Sequence, residues 1–289
     1  MSGENMTKVA VVTDSTSSLP QSFLQLYNIK VVPQVLIWGE QTYEDGIDIQ
    51  PEEFYRKLAS AKVIPTTSQV SILNMKIAFE QLLAEGYEVL GMFLSSKLSG
   101  TFQSATQGRE ELGAGREKIH IIDTQTTSMS MGFQVLTVAR AASEGANIAE
   151  CKALAAQAQQ STGIFFMVDT LEFLHRGGRI GGAQRLLGTA LNLKPILTVN
   201  DGKIEAVERV RTKGKALDRV VDIISEQSKG KSPIRLASLH ANAAEDARAI
   251  LASASLTLNA SETISAELSP VLGTHTGPGT VGLAYMTGL

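Results

Sequence analysis

Residues 9–18 of the chain, VAVVTDSTSS, place an apolar run of strand length directly before a cluster of hydroxyl side chains. The run predicts a buried strand that ends at Asp14. Similar runs alternate with helical stretches further along the chain. Strands are predicted at 29–35, 89–94 and 119–122. Helices are predicted from Pro51, from Ser71, after Thr101, at 131–143 and at 149–159. Strands separated by helices of about ten residues or more indicate βαβ units and a mostly parallel sheet.

The pattern changes after residue 160. A strand at 164–168 is followed by the glycine-rich loop GGRIGG at 177–182 and by a predicted helix at 183–192. The segment Asn200-Asp201-Gly202 then separates two strand-like runs, and Asp-Gly in this position is a strong hairpin signal.

A chain of 289 residues is long for one compact domain. The change of pattern places a boundary near residue 160. We therefore predict an α/β protein with an N-terminal parallel-sheet α/β/α domain over 1–160 and a smaller C-terminal α/β domain over 161–289.

The composition is that of a globular protein, with 43% hydrophobic and 5% aromatic residues. The single cysteine, Cys151, excludes an internal disulfide and a cysteine-based zinc site, and it fits a reducing cytosol. The first residues, MSGENMTK, do not resemble a signal peptide, and no uncharged apolar run reaches about twenty residues. We expect a cytoplasmic protein with no integral membrane association.

The net charge of −3 argues against general nucleic-acid binding, but the charge is unevenly distributed. Between residues 176 and 219 there are ten Lys or Arg against four Asp or Glu, a local excess of +6. Such an excess is usually a solvated face. Because this one lies beside the glycine-rich loop, it equally suggests an acidic or phosphate-bearing partner.

Five clusters of Ser and Thr recur along the chain, most of them just after a strand-like run. They lie at 13–18 (TDSTSS), 66–71 (TTSQVS), 95–101 (SSKLSGT), 124–130 (TQTTSMS) and 274–280 (THTGPGT). In an open α/β sheet, the loops at the carboxyl ends of the strands converge on a ligand crevice. Hydroxyls and helix N-termini there suit a carboxylate or a phosphate, although Ser and Thr are also common caps and turn residues.

Glycines 277, 279 and 282 match the spacing of a dinucleotide-binding loop, but too few residues follow for the helix and strand that such a site needs. The four histidines are scattered and show no metal-ligand spacing, so no metal site is predicted. His275 lies among glycines that let backbone approach a ligand closely, which favours a role in the site.

Two other functions fit the same residues. A hydrolase or acyltransferase could use Ser96 or Ser99 with His275, although nothing in the sequence marks one serine as activated. A phosphate- or nucleotide-binding regulator would also account for the hydroxyl loops and the basic segment.

The chain also resembles a known family in seven successive blocks. They are VVTDSTSSLP, TTSQVS, LSSKLSGTFQSA, IDTQTTSMSMG, DTLEFLHRGGRIGGAQRLLGTALNLKPIL, DGKIEAVERVRTKGKAL and GTHTGPGTVGLAY. These blocks, in this order over nearly the whole chain, are similar to those of the DegV family of bacterial fatty-acid-binding proteins.

The resemblance implies a two-domain α/β protein that buries one long-chain fatty acid between its domains. Thr67 and Ser99 would then hydrogen-bond the carboxylate, and His275 would join that network. The protein would present the acid to a separate ATP-dependent fatty acid kinase, as a carrier without cofactor or catalytic residues of its own. Arg179 and Arg211 match family positions implicated in the kinase encounter or in phosphoryl transfer.

Overall fold

The computed structural model describes residues 8–187 and 193–289. Its strands are β1 (Val9–Asp14), β2 (Lys30–Val32), β3 (Val35–Trp38), β4 (Gln41–Glu44), β5 (Thr66–Ser68), β6 (Glu88–Phe93), β7 (Ile119–Asp123), β8 (Thr162–Met167), β9 (Lys194–Asn200), β10 (Lys203–Val210), β11 (Ile234–His240), β12 (Glu262–Glu267) and β13 (Val281–Thr287). Its helices are α1 (Gln21–Leu26), α2 (Pro51–Leu58), α3 (Ile72–Ala84), α4 (Thr101–Glu110), α5 (Ser128–Ser143), α6 (Ile148–Ser161), α7 (Glu172–Arg176), α8 (Lys213–Ser228), α9 (Ala244–Leu258) and α10 (Pro270–Thr276). None of the helices in these ranges has the length and apolar character that crossing a bilayer requires.

Strands β2, β1, β6 and β7 form, in that order, a four-stranded parallel sheet. β1 is buried along its whole length, as expected of a strand covered by helices on both faces. Its side chains alternate between the two faces: Ala10 and Val12 pack with α3 and α4, whereas Val9 and Val11 pack on the side of α5. The predicted parallel sheet is confirmed.

The single strand predicted at 29–35 is wrong, because the chain forms two strands there. β2 and β3 are separated by Pro33 and Gln34. Pro33 has no N–H to continue a strand ladder, so the chain leaves the parallel sheet at this point. β3 instead joins a small antiparallel sheet of order β4-β3-β5. The sequence does not predict this sheet, because β4 and β5 are polar and lie near the surface.

The region after residue 160 is the shorter one, yet it carries the larger sheet. The strand order is β10-β9-β8-β13-β11-β12, antiparallel except between β11 and β12. The predicted hairpin is confirmed: Asp201 and Gly202 join β9 to β10 with φ angles of 47° and 74°, as the central residues of a type I′ turn do. The helix predicted at 183–192 is a 3₁₀ turn over Gly181–Leu186, and residues 188–192 lie outside the described residues.

Helix α5 lies between the two large sheets. Residues 128–139 are all buried. The helix packs on β1 of the parallel sheet and on β8, β11 and β13 of the second sheet. Gly132 permits this close approach, because a Cβ at that position would overlap the carbonyl oxygen of Ser17. A boundary near residue 160 therefore separates the strands of the two large sheets in sequence. It does not separate two independently packed units, because α5 packs on both sheets.

Candidate functional site

A cavity lies where the carboxyl ends of the parallel strands face the second sheet. Its empty space, including the open mouth, is about 780 Å³. We call Thr16, Thr67, Ser99, Ser128, Arg179 and His275 its polar wall, and Ile164, Phe166, Val199, Ile204, Leu239 and Leu272 its apolar wall. All five hydroxyl clusters contribute to the lining, the fifth through His275 and Thr280, so their predicted convergence is confirmed.

His275 and Thr67 meet in the polar wall. His275 lies in the last turn of α10, which begins at Pro270 and is capped by the Ser269 side chain. Its Nε2 is 2.7 Å from Thr67 Oγ1. Burial, reinforced by the nearby Arg179 charge, lowers the pKa of His275 to about 4. The imidazole is therefore neutral at physiological pH and adds no positive charge to the cavity.

The second nitrogen of His275 faces a tightly packed glycine. Nδ1 is buried and has no hydrogen-bond partner among the residues that the structure describes. A Cβ added to Gly177 would overlap this nitrogen, so only glycine leaves room for the ring in its present position. Glycine at position 177 thus allows the imidazole to occupy this position.

Ser99 is bonded within its own loop. Its Oγ lies 3.0 Å from Thr101 Oγ1, and Thr101 in turn receives a 2.8 Å bond from Gln34 Nε2. The structure therefore brings Thr67 and His275 together as a pair and places Ser99 in the same cavity without a bond to either. Ser96, three residues earlier, is exposed and does not line the cavity.

The two predicted arginines occupy different surroundings. Arg179 is half-buried in the polar wall, where Nε donates to the Leu98 carbonyl at 3.0 Å and Nη1 donates to the Gly177 carbonyl at 2.7 Å. Arg211 is exposed just after β10 and does not line the cavity. Only Arg179 is therefore in a position to act directly on a ligand.

Ion pairs neutralise part of the positive charge of the basic segment, residues 176–219. Four of its cations form ion pairs with carboxylates, and most of those carboxylates lie outside the segment: Arg176 with Glu172, Lys194 with Asp169, Lys213 with Asp246, and Arg219 with Glu208 and Glu226. In the folded chain these carboxylates therefore offset part of the local charge excess of +6 between residues 176 and 219.

Sequence reasoning misses two buried polar residues of the site: Asp14 lies behind the polar wall, and Gln34 lines the cavity itself. Asp14 is completely buried at the end of β1, and Gln34 is 2% exposed between β2 and β3. Asp14 accepts hydrogen bonds from the Thr16 backbone and hydroxyl and from the Leu94 backbone. The only signal in the sequence is the position of Asp14, a carboxylate at the end of the strand that begins with the apolar run Val9–Val12.

A second buried carboxylate, Asp45, joins three distant segments. Its Oδ2 accepts from Ser15 Oγ at 2.6 Å, and its Oδ1 accepts from the Val271 backbone N–H in the first turn of α10 at 3.1 Å. Burial raises the pKa of Asp45 to about 6, against the opposing effect of these hydrogen bonds. Asp45 therefore anchors the helix that carries His275.

The polar wall has the chemistry of an oxyanion site. It offers hydroxyl donors, a neutral imidazole and a guanidinium, all of which hydrogen-bond carboxylate or phosphate oxygens. Within residues 8–187 and 193–289, no three His, Cys, Asp or Glu side chains are grouped so as to hold a metal ion.

The fold and cavity define a class of two-sheet α/β proteins with one amphipathic ligand chamber between the sheets. The family model described as "Uncharacterised protein, DegV family" matches residues 8–288, and the chain belongs to that family. A DegV domain-containing protein of Clostridium perfringens is 35% identical over 279 residues, covering 96% of this chain and 98% of the relative.

Solved structures agree with this assignment. A fatty-acid-binding DegV family protein from Thermus thermophilus has a TM-score of 0.91 at 35% identity and covers 97% of this chain and 99% of its own. DegV of Bacillus subtilis, described as a fatty acid binding protein, has a TM-score of 0.88 at 30% identity, with 97% and 99% coverage. The chain therefore shares its α/β fold with these two members of the family.

Proposed function

We propose that this chain is a carrier that binds one long-chain fatty acid in the cavity and presents its carboxylate to a separate fatty acid kinase. The carboxylate would lie at Thr67, Ser99 and His275, and the acyl chain would lie along the apolar wall. The observation that carries the proposal is the mixed lining of a single cavity, in which hydroxyls, a guanidinium and a neutral imidazole occur together with apolar side chains, most of them from strands of the second sheet. Related proteins from Thermus thermophilus and Bacillus subtilis are fatty-acid-binding.

The two walls would contribute differently to binding. Burying an acyl chain gains about 0.8 kcal/mol per methylene, so a long chain supplies on the order of ten kcal/mol before the costs of association. A hydrogen bond to a charged group contributes about 1.5–3 kcal/mol. The apolar wall would therefore set affinity, and the polar wall would set orientation and the preference for an acid.

The geometry favours a carrier over a Ser/His hydrolase. His275 is bonded to Thr67 and not to Ser99 or Ser96. Its other nitrogen faces Gly177 and has no carboxylate partner in the described part of the chain to orient it as a base. We accordingly assign no catalytic residue to this chain.

The kinase role extends the proposal beyond ligand binding. Arg179 adjoins His275 in the polar wall and would stabilise a phosphoryl group forming on the carboxylate, whereas the exposed Arg211 would contact the kinase surface. We place this reaction in the cytoplasm, where the separate kinase would transfer the γ-phosphoryl group of ATP to the carboxylate and release ADP.

Extraction of the purified protein tests the proposal directly. Denaturing solvent extraction and mass spectrometry should recover close to one fatty acid per chain, because a buried acyl chain leaves slowly. Stripping the ligand should lower the melting temperature, and adding stearic acid should restore it. Recovery of no fatty acid together with no thermal shift would refute the carrier. ATP binding that persists at saturating fatty acid would then favour a nucleotide-binding regulator.

A further inference from the structure

We infer that Thr127, at the amino end of α5, forms a second polar subsite in the cavity, which binds a hydroxyl group carried on the acyl chain of the ligand. The inference rests on the proposed function, because it adds monohydroxylated fatty acids to the ligands that the cavity holds. It gives a role to the hydroxyl cluster at 124–130, which takes no part in the proposed carboxylate site at Thr67, Ser99 and His275.

Thr127 lies in a more deeply buried part of the lining than the residues proposed for the carboxylate. Thr67, Ser99, Arg179 and His275 are half-buried, whereas Thr127 is only 9% exposed. Three of the half-buried residues also line a second pocket beside the cavity, and Thr127 lines the cavity alone. With the carboxylate at the half-buried residues, Thr127 would lie beside the acyl chain.

The Thr127 hydroxyl has no hydrogen-bond partner within residues 8–187 and 193–289. The cavity lining has three other buried hydroxyls, and each of them has a partner in the protein: Thr16 with Asp14 at 2.6 Å, Ser128 with Ser18 at 3.3 Å, and Thr280 with the carbonyl oxygens of Thr276 at 3.0 Å and Gly277 at 2.9 Å. Burying a hydroxyl without a partner costs free energy, which an oxygen atom of a ligand can recover.

Backbone donors lie next to the same hydroxyl. The first N–H groups of an α-helix have no acceptor within the helix. Thr127 is the N-cap residue of α5, and its side chain accepts from none of them. Ser128, the first residue of α5, lines the cavity together with Thr127. A hydroxyl both donates and accepts, so an alcohol group on the ligand can bond to the Thr127 hydroxyl and to the end of the helix, whereas a methylene can bond to neither.

The test measures, by calorimetry, the affinities of stearic acid and of a series of monohydroxystearic acids in which the hydroxyl moves along the chain. At most positions the hydroxyl would be buried without a partner, so binding to the wild type should be about tenfold or more weaker than that of stearic acid. At the position that faces Thr127 the hydroxyl finds partners, and the affinity should stay within about threefold of that of stearic acid.

Thr127→Val removes the hydroxyl and keeps a branched side chain of similar size. It should weaken binding of the tolerated hydroxystearic acid by about tenfold or more and leave the affinity for stearic acid within about threefold of wild type. Thr127→Ser keeps the hydroxyl and should behave as wild type. Thr126→Val is the matched control, because the Thr126 hydroxyl is also buried and unpartnered in the described part of the chain but does not line the cavity.

The possible failures can be told apart. The inference alone would be overturned if the wild type bound stearic acid but tolerated a hydroxyl at no position, a result that needs no variant. It would also be overturned if the tolerance survived in Thr127→Val, or if Thr126→Val lost it as well. No binding of stearic acid by the wild type would overturn the proposed function and the inference with it.

Discussion

The two walls of the cavity are built from differently distributed parts of the chain. The polar wall takes side chains from loops far apart in sequence, as in the Thr67–His275 pair, which spans 208 residues. The apolar wall comes largely from neighbouring strands of one sheet, where Ile164 and Phe166 project from β8. The polar wall should therefore be sensitive to the loss of one hydrogen bond, whereas the apolar wall should tolerate changes of shape but not of charge.

The largest effect should come from placing a charge on the apolar wall. Val199→Glu puts a carboxylate against the acyl chain, at a half-buried position that the fold can tolerate. Affinity for stearic acid should fall by at least about a hundredfold, because the charge must be desolvated or the chain displaced. Val207→Glu is the control, since Val207 is 40% exposed on the same hairpin and does not line the cavity. Equal affinities in the two variants, measured by calorimetry, would mean that the chain lies elsewhere.

The next prediction concerns how the free energy of unfolding depends on pH through His275 and Asp45. The folded-state pKa of His275 is lowered to about 4, so its contribution to stability is lost as pH falls from about 6.5 to 4. The folded-state pKa of Asp45 is raised to about 6, so its contribution is present at low pH and is lost as pH rises through about 6. Each shift corresponds to roughly 3 kcal/mol, and the two largely cancel in the wild type.

Single variants should reveal these opposing contributions. Relative to wild type, the unfolding free energy of Asp45→Asn should rise with pH between about 4 and 6, and that of His275→Gln should fall. Urea denaturation over this range measures both differences. A variant whose curve runs parallel to that of the wild type would show that the substituted group titrates normally.

A smaller effect is expected from single hydroxyls of the polar wall. Ser99→Ala and Thr67→Val should each weaken stearic acid binding by about tenfold, because the carboxylate loses one donor while the acyl chain remains buried. Ser96→Ala provides the control on the same loop, since Ser96 is exposed outside the cavity. A loss of affinity in Ser96→Ala comparable to that in Ser99→Ala would contradict the site assignment.

The smallest effect on binding should distinguish the two arginines. Arg179→Ala should weaken stearic acid binding several-fold, because its guanidinium lines the cavity, whereas Arg211→Ala should leave the affinity unchanged. Both should slow acyl-phosphate formation by the kinase, and added salt should slow the wild type. A strong loss of stearic acid affinity in Arg211→Ala would show that Arg211 has a structural role in the fold.

Local patterns in the sequence predict most of the parallel sheet and the polar wall. The buried strands are continuous apolar runs, and hydroxyl clusters directly follow β1, β6 and β7, so their convergence follows from the fold class. The antiparallel order of the second sheet depends on pairings between distant strands, such as β8 with β13, which local periodicity does not specify.

The supporting residues of the site are harder to predict, for a related reason. Gln34 lines the cavity because the chain leaves the parallel sheet at Pro33, which buries the amide beside Thr101. Asp45 reads as a surface turn residue next to Gly46, yet its partner Val271 lies 226 residues away. Burial of a polar side chain is a property of the tertiary structure, so composition alone does not reveal it.

The position of α5 limits how the molecule can move. Two units with a small polar interface can swing apart about a hinge, but here a helix buried over residues 128–139 is shared by both sheets. A clamshell motion would strip that helix from one of them and expose its apolar surface to water. Local opening need not separate the sheets, because the exposed Lys97–Asp201 ion pair joins the Ser99 loop to the hairpin. A contact of this kind can break and reform many times while the rest of the fold stays closed.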